Sequence, residues 1–140
     1  MKKKLSKQIK AYVEYRIENL QSDEKELEEY KADLLSLKSY IATDMPSSHS
    51  KSRSVENAAV KLASDKYIIE MEKNIVIIKK VLSALDETEA ALIDMVYIKK
   101  SHSVEGAALR VNLSKTAAYD RVNNILFNIA AAMGIVNIIL

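Results

Sequence analysis

The sequence predicts an all-α fold, and three observations carry that expectation. Helix breakers are scarce, with two glycines and one proline in 140 residues, while Ala, Leu, Lys and Glu abound. Apolar residues recur at spacings of three, four and seven, the period of helices that bury one side. Residues 103–122, SVEGAALRVNLSKTAAYDRV, place small and apolar side chains where two short helices joined by a tight turn would pack on each other.

Residues 6–41 read as an N-terminal helical arm or hairpin. Val13, Leu20, Leu27, Leu34 and Ile41 recur every seven residues, with Ile9, Ile17 and Leu37 near the same stripe. Glu24 and Lys31 interrupt the other half of the repeat, which argues against a free zipper. A break is expected between Asn19 and Asp23, with Asp23 as N-cap and Glu26 completing a capping box. Residues 42–54, which hold Pro46 and His49, form a serine-rich linker too polar to offset its ordering entropy.

Residues 55–85 contain neither proline nor glycine and predict one long helix, with Ser54 as its cap. Ile68, Met71, Ile75, Ile78, Leu82 and Leu85 form a heptad seam, and Val55, Ala58 and Leu62 a stripe shifted from it. Two pairings compete for these apolar faces: the N-terminal hairpin of the same chain, or a second copy in a homodimer through residues 9–41 or 68–85. A further helix is expected over 86–100, opened by the acidic DETE at the positive end of its dipole.

Residues 86–140 then carry the helix-turn-helix. Ala107 and Ala108 allow close approach, Val111 and Leu113 plug the corner, and Ala118 and Val122 anchor the second helix. Ser114 is its expected N-cap, so the helix begins at Lys115. Ala118, Val122, Ile125 and Ile129 line one side, while Thr116, Tyr119, Asp120 and Asn123 lie on another. Lys, Thr, Tyr and Asn at the leading end are groups that hydrogen-bond base edges and phosphates in a DNA major groove. An ordinary helical hairpin with a solvated surface would show the same pattern.

The formal charge of +2 says little about partners, so its distribution decides. Lys99, Lys100, Arg110, Lys115 and Arg121 face Glu105 and Asp120, a local excess of three positive charges that permits phosphate binding. The stretch from Val122 onward is uncharged, but Asn123, Asn124, Asn128, Asn137 and Gly134 argue against a membrane span. The basic start runs into polar sequence without the apolar core of a secretory signal, and no cysteine is present, so a cytoplasmic protein is expected. No phosphate-cradling loop, metal-ligand cluster or nucleophile with a histidine partner occurs, so neither catalysis, a metal nor a cofactor is expected.

Residues 103–122 resemble the helix-turn-helix of region four of bacterial sigma factors, with Ser103, Glu105, Ala108, Ser114 and Arg121 at positions where that family places the same residue types. The preceding LDETEAALIDMVYIKK resembles the helix that leads into it. The wider layout, with a tyrosine-containing arm, a serine-rich linker, a VEN helix start at residues 55–57 and a long helix, is similar to phage transcriptional regulators of the RinA and ArpU types. That resemblance implies activation of phage or prophage late genes in a bacterial host cell, with double-stranded DNA as ligand and RNA polymerase as a partner. It places Lys115, Thr116 and Tyr119 toward bases, and Ser114 and Arg121 nearer phosphates. The chain departs from the sigma pattern at Gly106, where an acidic residue is usual, and at Tyr119 and Asp120, where Lys and Ser are common. Two other readings stand beside it: a small terminase-like subunit that recognises DNA for packaging, and a helical adaptor that binds proteins without reading DNA.

Overall fold

The computed structural model describes residues 4–43 and 62–136, with side chains described over 4–36 and 62–136. Among the described residues there are helices and no strands: α1 (Lys7–Glu18), α2 (Leu20–Thr43), α3 (Lys66–Ser83), α4 (Glu87–Ile93), α5 (Val104–Arg110) and α6 (Lys115–Met133), with a π-helical turn over Asp94–Ile98. The fold is all-α. Two compact units divide the chain: one takes in residues up to Leu20 with those from Val76 onward, the other spans Gln21–Ile75.

α1 opens at Ser6, whose Oγ accepts the Ile9 N–H at 3.2 Å and so satisfies one of the first-turn amides. It closes at Asn19, whose side-chain amide donates to the Tyr15 carbonyl at 2.8 Å. The break therefore falls where the sequence predicts one, but Asp23 is not its cap. α2 resumes at Leu20, which puts Asp23 inside the first turn and leaves it buried. Val13, Ile17, Leu20 and Leu27 are all buried, so the seven-residue stripe is a core-facing stripe, and Leu34 is half-buried. The side chains of Leu37 and Ile41 lie outside the described residues, as do Pro46, His49, Ser54 and the VEN start at 55–57.

In the unit spanning Gln21–Ile75, the Tyr30 hydroxyl donates to Asp65 Oδ2 at 2.8 Å, and its ring meets Tyr67 edge-on at 4.8 Å. The hydrogen bond to Asp65 raises the Tyr30 pKa above its ordinary value. The next residue, Lys31, pairs with Glu72. Leu27 is buried on α2, and Ile68, Met71 and Ile75 on α3. Tyr30 and Lys31 thus bring α2 against the start of α3 within the chain. The single helix expected over 55–85 is interrupted, because Asp65 leaves the helix and turns its Oδ1 back to accept the Ile68 N–H at 3.1 Å. An aspartate makes a better cap than an interior helix residue, since its short carboxylate competes for nearby amides. The helix ends at Ser83, and Leu82 and Leu85 are half-buried.

In the other unit α4 is capped by Asp86, whose carboxylate accepts the Glu89 N–H at 2.7 Å. That donation is the main reason the Asp86 carboxyl lies below its ordinary range, while burial raises that of Glu89. The helix expected to continue to residue 100 widens after Ile93 into the π-helical turn, closed by the Lys99 N–H on the Asp94 carbonyl at 2.7 Å. Leu92, Ile93 and Tyr97 are buried by this arrangement. α6 lies against α1, α4 and α5, and it buries Ala118, Val122, Ile125, Leu126, Ile129, Ala130 and Met133. It ends at Gly134, whose φ of +74° suits a residue without a Cβ; the Ile135 N–H closes the cap on the Ala130 carbonyl at 3.1 Å. Among the described residues no helix is long and apolar enough to cross a membrane.

Tyr97 supplies a test of this core. Its hydroxyl donates to Glu14 Oε2 at 2.8 Å, and burial, followed by that carboxylate, pushes its pKa far above the ordinary tyrosine value. The folded chain therefore holds this proton at pH values where the unfolded chain releases it. Stability from Tyr97 is complete below about pH 10 and falls above it, by up to about 1.4 kcal/mol per pH unit. The denaturation midpoint of Tyr97→Phe is expected to fall less steeply between pH 9.5 and 11 than that of the unaltered chain.

Candidate nucleic-acid interface

α5 and α6 pack on each other across the short turn 111–114, and the sequence dictates each part of the pair. Ser103 Oγ accepts the Gly106 N–H at 3.1 Å and opens α5; Ser114 Oγ accepts the Ala117 N–H at 3.1 Å and opens α6. Between them the Leu113 N–H returns to the Ala108 carbonyl at 3.0 Å, which requires a left-handed residue at Asn112, φ +58°. Asparagine tolerates that conformation better than most side chains, so the turn closes without a glycine. Ala107, Ala108, Ala118 and Val122 are buried at the crossing, and Val111 and Leu113 are half-buried at its corner.

Gly106 sits in the first turn of α5. A Cβ on Gly106 would lie 3.4 Å from Ser103 Oγ and 3.7 Å from the nearest His102 carbons, ordinary contact distances. Its φ is not positive. Gly106→Ala is therefore expected to stabilise the protein by about 0.5–1 kcal/mol, by restricting the unfolded chain more than it crowds the folded one. Thermal unfolding of the two proteins checks this.

The side chains that the sequence assigns to DNA do not all share one surface. Thr116 and Asn123 are exposed, and Lys115 stands exposed at the leading end of α6. Ser114 is exposed, but its hydroxyl is engaged as the cap. Tyr119 is half-buried. Arg121 is turned toward the start of α4, where its Nη1 lies 3.4 Å from Asp86 Oδ2. Successive helix residues are about 100° apart, so Thr116, Asp120 and Asn124 form the outermost row of α6, and all three are exposed. Asn124 was legible in the sequence as the third member of that four-residue spacing.

The basic cluster is largely paired within the protein. Lys99 lies 3.1 Å from Asp94, Lys100 3.4 Å from Glu18, Lys115 3.1 Å from Glu105 and Arg121 3.4 Å from Asp86. Arg110 is exposed and has no acidic partner among the described residues. Exposed pairs of this kind contribute about 0–1 kcal/mol, so a phosphate can displace the carboxylate from Lys115 at small cost. Beside the row, Asn123 and Leu126 of α6 meet Lys4, Leu5 and Lys10 around an open pocket of about 230 Å³. No local pattern announces this neighbourhood, because its two halves are more than a hundred residues apart in the chain. Among the described residues no group of three or more His, Cys, Asp or Glu side chains is placed to hold a metal ion. The His102 ring nitrogen Nδ1 lies 2.8 Å from Ser101 Oγ, in the turn before α5.

No protein-family model, curated protein or solved structure matches the chain.

Proposed function

We propose that this protein is a sequence-specific DNA-binding transcriptional regulator that lays the first turns of α6 in the major groove of promoter DNA. The observation that carries the reading is the combination of a capped helix-turn-helix with an outward row of hydrogen-bonding side chains, Thr116, Asp120 and Asn124, flanked by Lys115 and Asn123. A threonine hydroxyl and asparagine amides can bond to base edges, and a lysine at the leading end supplies a phosphate or base contact. The resemblance to sigma region four and to phage regulators supports the narrower form of the proposal: an activator of phage or prophage late genes, with RNA polymerase as its protein partner. A homodimer belongs to the same proposal. Ile69 and Val76, seven residues apart on α3, are 47% and 61% exposed, and they offer a second copy more surface than the buried positions of the seam.

Selection of bound duplexes from a random pool tests the reading. A recovered consensus a few base pairs long supports it, and a pool no different from the input counts against it.

A further inference from the structure

We propose, resting on the DNA-binding reading, that the N-terminal segment clamps the DNA backbone: Lys4 and Lys10, across a pocket from Asn123 of α6, form a phosphate site at the rim of the groove that α6 enters. The pocket of about 230 Å³ is walled by these two lysines and Asn123, with Leu5 and the fully buried Leu126 as its apolar floor. Its lining residues include two lysines and an asparagine, whose side chains are the donors a phosphodiester takes.

Charge pairing favours the same segment. The cations of α6, Lys115 and Arg121, are each within ion-pair distance of a carboxylate. Lys4 and Lys10 have no acidic partner among the described residues, and two acids of α1 are engaged elsewhere, Glu14 with Tyr97 and Glu18 with Lys100. The spacing is also suitable. Asn123 lies eight residues beyond Lys115, about 12 Å along the axis, which is about the width of the major groove. A helix with its leading end against base edges therefore brings the pocket to the flanking phosphates.

The test compares the full-length protein with Lys4→Ala/Lys10→Ala and with Lys25→Ala/Lys73→Ala, which removes the same charge from α2 and α3. Binding to the preferred duplex and to an unrelated duplex is measured across a salt series. Each lost phosphate contact lowers the slope of log affinity against log salt by about 0.9. The first variant, which empties the one phosphate site, is expected to lose about 0.9 from the slope and to weaken on both duplexes by the same factor, so that sequence preference is retained; the second is expected to keep the slope. Equal slopes for the first variant and the unaltered protein would overturn the clamp while selective binding left the DNA-reading proposal intact. Absence of DNA binding by the unaltered protein would overturn both.

Discussion

Replacing Leu126 by alanine is expected to destabilise the protein by about 2–5 kcal/mol, the range for truncating a large buried aliphatic side chain, out of a total of about 5–15 kcal/mol for an ordinary domain. Leu126 has 0% exposure and stands on the side of α6 that meets the N-terminal segment, next to Leu5. Its loss leaves a cavity that α1 and α6 can fill only by shifting. Asn128→Ala, on an exposed position of the same helix, is expected to change stability by less than about 0.5 kcal/mol. Urea denaturation of the three proteins, followed by circular dichroism, separates a specific packing loss from a general effect on the helix.

The position of Leu126 marks where the sequence stops being informative about the fold. The spacing of Ala118, Val122, Ile125 and Ile129 identifies one buried side of α6, and all four residues are buried. Leu126 and Ala130 are equally buried because α1 covers a second side, and that contact joins residues too distant for any periodicity to record. Local signals fared well where the physics is local. Ser114 caps α6, a break occurs at Asn19, and small alanines line the helix crossing. The same reasoning failed at Asp23 and Asp65. Each can serve as a cap or an interior residue, and the choice depends on where the preceding helix ends and on partners elsewhere, such as Tyr30 for Asp65.

Thr116→Ala/Asn124→Ala is expected to weaken binding to the preferred DNA by at least about 30-fold. Two base contacts at roughly 1–3 kcal/mol each give a loss of 2 kcal/mol or more. Binding to unrelated DNA should change little, since phosphate contacts carry that component. Both side chains are exposed, so the variant should keep the stability of the parent. Arg121→Ala should behave differently. Its guanidinium is turned toward Asp86, away from the row, so its removal is expected to alter DNA affinity by less than about threefold, within the small energy of an exposed ion pair. Competition binding with labelled preferred duplex distinguishes the two variants.

The candidate site was thus partly legible. Lys115, Thr116 and Asn123 occupy exposed positions at or beside the outer row, whereas Tyr119 is half-buried and Arg121 is paired with Asp86. A helical wheel places residues around one axis, but it does not show which neighbours cover each sector. Here Tyr119 is half-buried and Arg121 is turned to Asp86 at the start of α4, which leaves the outer row to Thr116, Asp120 and Asn124. The N-terminal segment also lines a pocket with Asn123 of α6 through Lys4 and Lys10.

The most direct test of the account is the affinity of the purified full-length protein for duplex fragments flanking its own coding sequence, measured at two salt concentrations beside Thr116→Ala/Asn124→Ala. The account requires tight binding to one fragment over the others, with that preference lost in the variant and a residual salt-sensitive affinity common to both proteins. Equal, weak binding to every fragment by both proteins, abolished by added salt, would contradict the assignment of α6 as a DNA-reading helix.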